Sequence, residues 1–215
     1  MQTALRRSLG NDFVSIFAAG TCGDINHINV NDPDQLGGHD ESKRIGEALA
    51  STILTALPRA EPVSNVNLAM LTRMVEAPMK RYTKQEVAEA REVLEERDAR
   101  RPAFLDLVEA YNRVEVAAIG GETMALEVQV IRLTDDLAMV TLPGEIFVDL
   151  GLDIKRNSPF ARTMVIELSN AAPGYIASAK GYAEGSYETV NSRLSIGGGE
   201  MLTVTARRLL DQLKP

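Results

Sequence analysis

A short polar loop near the N-terminus collects side chains that could do chemistry. Cys22, Asp24 and His27 lie close together in a segment rich in Gly and Asn. Thiolate, carboxylate and imidazole groups are the usual metal donors and proton carriers. Asp and Asn also order loops by bonding nearby backbone, and no second Cys or closely spaced His pair supports a closed metal site. The pattern alone therefore favours a loop-ordering role and leaves membership of a site open.

Two further places carry groups suited to catalysis. Glu145 follows a Pro-Gly turn after an apolar run, where α/β sheets often present functional side chains. A carboxylate in the first turn of a helix also simply favours the positive end of the helix dipole. Three of the five tyrosines of the chain lie in one segment, at Tyr175, Tyr182 and Tyr187. They could share a functional site, and the alternative is that their rings pack beneath a loop.

Composition limits the classes of protein that fit. The 215 residues are 45% hydrophobic and 25% charged, which is typical of a globular chain, and the net charge of -7 argues against a nucleic-acid partner. One cysteine excludes an internal disulfide. No apolar stretch approaches the roughly 20 residues of a transmembrane helix, and the chain shows no signal peptide, so its localisation stays open.

Hydrophobic periodicity predicts alternating strands and helices, and so a mixed α/β (α+β) fold in one domain, 1–215. Thr83 and Glu86 have the spacing of a capping box that opens a helical insertion at about 80–118. The predicted strands cover 13–19, 63–75, 124–130, 137–142 and 164–168, and the predicted helices cover 1–9, 41–57, 83–98, 104–111, 145–154 and 202–213. In the second helix, one buried stripe is expected from Ile45, Leu49, Ile53 and Leu57.

Three motifs follow one another in an order typical of a known family. They are GTCGDINHINV from residue 20, LPGEIFVDLG from residue 142 and ELSNAAPGYIASAKGYAEGSYET from residue 167. Together they resemble the C-terminal half of the catalytic domain of the neutral/alkaline non-lysosomal ceramidases, in the bacterial ceramidase-like branch. The second and third motifs are the specific ones.

The resemblance implies a zinc amidase that cleaves the N-acyl bond of ceramide, so that a small-molecule or lipid amide is the expected substrate. The family holds zinc with two His, one Glu and one Tyr. Its motifs place Glu145 and Tyr175 at the last two of these positions, and Tyr187 at the position of a second active-site tyrosine. The implied role of Tyr187 is to donate a hydrogen bond to the substrate or to an oxyanion.

The sequence departs from the family pattern in the first motif. Asn26 occupies the position of the family's serine, and His27 that of the following proline. A carboxamide has no ionisable proton to give up, so Asn26 cannot replace an activated hydroxyl, although it can orient a water or donate to an oxyanion. Asp24 and His27 are then expected as neighbours in a loop that faces the site.

The two family histidines belong to motifs that precede this loop, and neither His27 nor His39 matches them. The resemblance therefore implies a half-site in a partial domain, whose parent family is often secreted or periplasmic. Whether the chain is an enzyme stays open. The alternative, from another class of protein, is a non-catalytic remnant or interaction domain that needs an upstream segment or a homo-oligomer to complete it.

Overall fold

The computed structural model covers residues 1–215, and its internal contacts divide the chain into two compact units. The smaller unit comprises Met1–Ala18 and Asn26–Ser64, and the larger unit comprises Ala19–Ile25 and Asn65–Pro215. The polar loop near the N-terminus is thus shared out between them, with Asp24 in the larger unit and Asn26 in the smaller one.

The smaller unit is helical. Its helices are α1 (Gln2–Leu9) and α2 (Gly38–Ala56), followed by a 3-10 turn at Leu57–Arg59. The expected buried stripe of α2 is wrong in part, because Ile45 and Ile53 are half-buried but Leu49 and Leu57 are exposed. Within this unit α2 packs against α1, whose eight residues are too short to cover a helix of 19 residues.

The strand predicted at 13–19 is wrong. These residues form no regular strand, and the side chains of Val14, Ile16 and Phe17 are exposed. A strand is stable only as part of a hydrogen-bonded ladder. Residues 13–18 belong to the smaller unit, which has no strand to pair with.

The larger unit is built on a four-stranded mixed sheet with a separate two-stranded pair. The strands are β1 (Ala69–Pro78), β2 (Thr123–Arg132), β3 (Leu137–Thr141), β4 (Glu145–Ile146), β5 (Arg162–Ile166) and β6 (Tyr175–Ile176). The large sheet has the order β1-β2-β3-β5, in which the β1–β2 and β2–β3 pairs are antiparallel and the β3–β5 pair is parallel. The small sheet pairs β4 with β6 in parallel.

Seven helices complete this unit. They are α3 (Lys84–Glu95), α4 (Arg97–Arg100), α5 (Phe104–Ile119), α6 (Val148–Arg156), α7 (Ala179–Glu184), α8 (Tyr187–Asn191) and α9 (Gly198–Leu213). The helical insertion and the mixed α/β class are therefore confirmed. Thr83 and Glu86 form the expected capping box. None of the helices combines the length and the apolar character needed to cross a membrane.

Alternation along β2 places the core on one face of the large sheet. Leu126, Val128 and Val130 are buried, as their spacing predicts, and α9 packs against β1 and β2 with Leu202 and Leu209 in the same core. The antiparallel register pairs Leu126 with the buried Val75 and Val130 with the half-buried Leu71, whereas Val128 lies opposite the exposed Arg73. The sheet thus presents one covered face and one open face.

Two strand predictions need correction. The strand expected at 63–75 begins only at Ala69, because its partner β2 ends at Arg132, which pairs with Ala69. The strand expected to be buried at 164–168 is β5, in which Val165 is buried while Met164 is exposed. Leu168 lies beyond this strand, with a left-handed φ of 53° and an exposed side chain.

Truncating the core at α9 is expected to destabilise the larger unit. Leu209 is 2% exposed and Met201, on the same helix, is 42% exposed. We predict that Leu209→Ala lowers the free energy of unfolding by about 2–5 kcal/mol, since it removes buried methyl groups and leaves a cavity. Urea denaturation monitored by circular dichroism measures the difference.

Met201→Ala is the matched control, because it changes the same helix at a solvent-facing position. A similar loss of stability in both variants would contradict the assignment of Leu209 to the core.

Candidate functional site

The parallel pair of β4 and β6 places Glu145 beside Tyr175. The two residues are register partners, and Glu145 N donates to Gly174 O at 2.9 Å. The prediction that Glu145 falls in the first turn of a helix is wrong, since α6 begins only at Val148. Because the backbone of Glu145 is committed to pairing with β6, the helix cannot start there, and this carboxylate is not a first-turn partner of the helix dipole.

The turn before Glu145 depends on a glycine. Gly144 has a left-handed φ of 72°, and its N donates to Ala171 O at 3.0 Å. A Cβ at this position would lie 2.7 Å from Gly174 O, which is too close for a side chain. The Pro-Gly sequence therefore lets the chain leave β3 and approach β6 closely enough to align the two candidate residues.

Tyr187 is the first residue of α8, and it adds a second phenol beside Glu145 and Tyr175. Its ring meets that of Tyr175 edge to face, with centroids 5.7 Å apart. Phe104, the first residue of α5, stacks on the Tyr187 ring at 5.6 Å. The structure thus brings together Glu145, Tyr175 and Tyr187, which the sequence motifs had singled out. It adds Phe104, which no sequence motif had indicated.

The segment from Ala19 to Ile25 runs beside β4 and α6. Asp24 Oδ1 accepts a hydrogen bond from Val148 N at 2.7 Å, so this carboxylate caps the start of α6. Gly23 N donates to Ile146 O at 2.8 Å, and a Cβ on Gly23 would collide with Glu145 O. The segment that carries Asp24 therefore packs against the backbone of Glu145 and Ile146. One carboxylate oxygen of Asp24 is already occupied by the hydrogen bond from Val148 N.

Glu167 is the residue at this place that sequence reasoning missed. It is 4% exposed, and its carboxylate accepts from Ile146 N at 2.8 Å, from Cys22 N at 3.2 Å and from Cys22 Sγ at 2.9 Å. A charged group buried this deeply persists only when its oxygens are hydrogen-bonded. The signal in the sequence was a Glu directly after an apolar strand, within the third motif.

The same contacts shift the acidity of the neighbouring groups. The hydrogen bond to Glu167, together with burial and nearby carboxylates, raises the pKa of Cys22 to about 11. Burial, and then the charge of Glu167, raises the pKa of Glu145. Burial, and then the charge of Glu145, raises the pKa of Tyr175. At neutral pH, Cys22 and Tyr175 therefore keep their protons, and the Cys22 thiol donates to Glu167.

Asn26 and His27 belong to the smaller unit, and both are exposed. Asn26 Oδ1 accepts from Ile28 N at 3.2 Å, which is the local bond of an Asx turn. His27 O accepts from Gln35 Nε2 at 3.0 Å. These contacts fit the loop-ordering interpretation of the polar segment, and His39 is likewise exposed, in α2.

The donors of the larger unit do not fit a catalytic zinc ion by themselves. Such an ion takes three protein ligands and an open position. Glu145 and Tyr175 supply two donors, and the structure contains no group of three His, Cys, Asp or Glu side chains suited to a metal. Glu167 and Asp24 already accept backbone N–H groups.

The larger unit is a mixed α/β fold in which a short parallel strand pair presents a carboxylate beside a phenol. In structure the chain is similar to neutral ceramidase from Pseudomonas aeruginosa, with a TM-score of 0.65 at 16% sequence identity, over 98% of this chain and 40% of that chain. The fold implied by the sequence resemblance is therefore confirmed, for a chain that spans 40% of the length of that ceramidase.

A second solved structure, a ceramidase complexed with C2, matches 81% of this chain and 34% of its own, with 15% identity and a TM-score of 0.49. No protein-family model matches the sequence, and no curated protein matches it significantly.

The hydrogen bond between Cys22 and Glu167 predicts an unreactive thiol. Because the pKa of Cys22 is raised to about 11, the folded chain at pH 9 holds roughly fiftyfold less thiolate than an unperturbed cysteine, and thiolate is the reactive form. We predict slow reaction with a chromogenic disulfide reagent in the native protein. Glu167→Gln should accelerate it at least tenfold, as roughly expected when the main cause of the shift is removed.

Cys22 is the single cysteine, so the reaction reports on this place alone. Protein unfolded in urea gives the reference rate, and Glu89→Gln, which alters a carboxylate on α3, is the control. A native thiol that reacts as fast as the unfolded one would contradict the contact.

Proposed function

We propose that this chain carries the catalytic residues of a ceramidase-like hydrolase that cleaves the N-acyl amide bond of a lipid-like substrate. The observation that carries the proposal is the alignment of Glu145 with Tyr175 in the β4–β6 pair, with the Tyr187 ring in contact with Tyr175. The likeness of the fold to neutral ceramidase supports the choice of reaction class.

The proposed chemistry is the addition of water to an amide. The Glu145 carboxylate takes a proton from the attacking water as its oxygen bonds to the carbonyl carbon, and the protonated Glu145 then gives this proton to the leaving nitrogen as the C–N bond breaks. The products are an amine and a carboxylic acid. The raised pKa of Glu145 suits this exchange, since the group is a stronger base than an ordinary glutamate.

The two phenols suit the negative charge that develops on the carbonyl oxygen. Tyr175 keeps its proton because its pKa is raised, and the Tyr187 hydroxyl is oriented by Asn191 Nδ2, which donates to it at 3.2 Å. Placed donors of this kind stabilise an oxyanion. Zinc would require ligands that the larger unit lacks, so these steps are assigned to the chain's own side chains.

One observation favours the second candidate function, an interaction domain without catalysis. Met70, Ile131, Met139 and Met164 are register partners across all four strands of the large sheet, on its open face. Met70 is 58% exposed and Met164 is 41% exposed. An apolar row of this kind suits association with another protein surface.

Substitution at Glu145 separates the two candidates. We predict that the purified chain releases fatty acid from a short-chain N-acyl sphingoid substrate, and that Glu145→Gln lowers kcat by about 100-fold or more, since the amide cannot accept the water's proton. Tyr187→Phe should lower kcat by roughly 10-fold to 100-fold through loss of one oxyanion donor. Mass spectrometry of the released acid measures both.

Glu89→Gln on α3 and Tyr111→Phe on α5 are the matched controls, and both should leave the rate unchanged. If the wild-type chain releases no acid, or if Glu145→Gln retains the full rate, the hydrolase proposal fails and the interaction domain is favoured.

The pH profile gives an independent measure of the same assignment. The base must be ionised, and burial together with Glu167 raises the pKa of Glu145, so kcat/KM should fall on the acid side at a higher pH than for an ordinary glutamate of about 4.3. Glu167→Gln should move this limb to lower pH. An acid limb at the ordinary value in the wild type would contradict Glu145 as the base.

A further inference from the structure

The C-terminal end of α8 is held by two side chains that lie far from it in sequence. Lys80 Nζ donates to Thr189 O at 2.7 Å and to Val190 O at 2.9 Å. Asn112 Nδ2 donates to Asn191 O at 2.9 Å and to Ser192 O at 3.2 Å. Four consecutive carbonyl groups, which a helix end leaves without partners of its own, are thus bound from outside.

Lys80 and Asn112, which bind the end of α8, are themselves held in place by hydrogen bonds. Asn112 is 1% exposed, and its Oδ1 accepts from Tyr82 Oη at 3.0 Å, which leaves its amide group directed at α8. The backbone of Lys80 is anchored as well, since Lys80 N donates to Arg193 O at 2.9 Å. The C-terminal end of α8 is therefore held by Lys80, which follows β1, and by Asn112 of α5.

The clamped end is connected to the candidate site through Asn191. Its backbone carbonyl is bound by Asn112, and its side-chain Nδ2 donates to Tyr187 Oη at 3.2 Å. Since α8 has only five residues, a shift of its last turn moves the Asn191 amide and with it the hydrogen bond that orients the Tyr187 phenol.

We propose that Lys80 is a positioning residue for Tyr187, and that its ammonium group holds α8 by the carbonyl groups of the last turn. A positive charge near a helix C-terminus is favourable, and a charge-assisted hydrogen bond is about twice as strong as a neutral one. Loss of the charge therefore loosens α8 and frees the Tyr187 ring. This proposal rests on the proposed function only in that it takes Tyr187 to be a catalytic residue.

The charge on Lys80 is lost at moderately alkaline pH. Burial lowers the pKa of Lys80 to about 8, and Glu109 on α5 opposes this effect in part. Glu109 is itself paired with Arg113 at 2.6 Å, and Arg81, next to Lys80, is paired with Glu122 at 2.6 Å. The groups of α8 that contact the Lys80 ammonium are the backbone carbonyls of Thr189 and Val190. Below pH 8 the charged ammonium therefore holds α8 strongly, and above pH 8 the neutral amine donates more weakly and holds it less tightly.

Aromatic NMR of tyrosine-labelled protein tests the proposal without any need for hydrolysis. The chain has five tyrosines, and Tyr187→Phe assigns the resonance of interest. In the wild type, the Tyr187 ring signal is expected to shift between pH 7 and 9 with a midpoint near 8. Lys80→Met should show the high-pH signal already at pH 7, and Lys80→Arg, which keeps its charge, should show the low-pH signal throughout.

Lys180→Met, at an exposed lysine of α7, is the control and should titrate as the wild type does. A transition that persists in Lys80→Arg, or a Tyr187 signal that Lys80→Met leaves unchanged at pH 7, would overturn the proposal. If Lys80→Met fails to fold, the wild type and Lys80→Arg still decide the question. A protein that shows the expected transition but releases no fatty acid would overturn the hydrolase proposal and leave the positioning role of Lys80 standing.

Discussion

The buried carboxylate of Glu167 constrains the arrangement around the candidate site more than any other single group. Its two oxygens take hydrogen bonds from the backbone and thiol of Cys22 and from the backbone of Ile146. A buried charge without such donors would cost several kcal/mol, on the order expected for an unpaired ion. Folding of this part of the chain therefore requires that residues 22 and 146 come together, and β4 is fixed as a result.

This arrangement also sets the electrostatic character of the site. Asp24, Glu145 and Glu167 bring three carboxyl groups into one region, and none of them takes part in an ion pair. Backbone N–H groups offset two of these charges. The third, on Glu145, has no such hydrogen bond, and burial together with the charge of Glu167 raises its pKa.

Much of the fold could be predicted from the sequence because its signals are local. The capping box at Thr83 and the alternation along β2 each depend on spacing within a few residues, and both are correct. The strand at 13–19 failed because strand formation depends on a partner, which no local pattern reveals. The extent of β1 was likewise decided by its neighbour β2.

The residues of the candidate site that belong to a sequence motif could be predicted. The residues that reach the site only through a long-range contact could not. Glu145, Tyr175 and Tyr187 were found through motifs, and the structure places them together. Phe104 and Lys80 reach the same place from segments more than 80 residues away from Tyr187, where their own neighbours in sequence show nothing unusual. Periodicity describes which face a side chain occupies and carries no information on which distant segment lies opposite.

The shortness of β4 and β6 has a consequence for local motion. The pair spans two residues on each side, whereas β1 and β2 pair over ten. Fewer cooperative hydrogen bonds mean a lower free energy of local opening, so amide protons at the pair should exchange with solvent before those of the large sheet. The strand pair of the candidate site can therefore open locally while the large sheet stays folded.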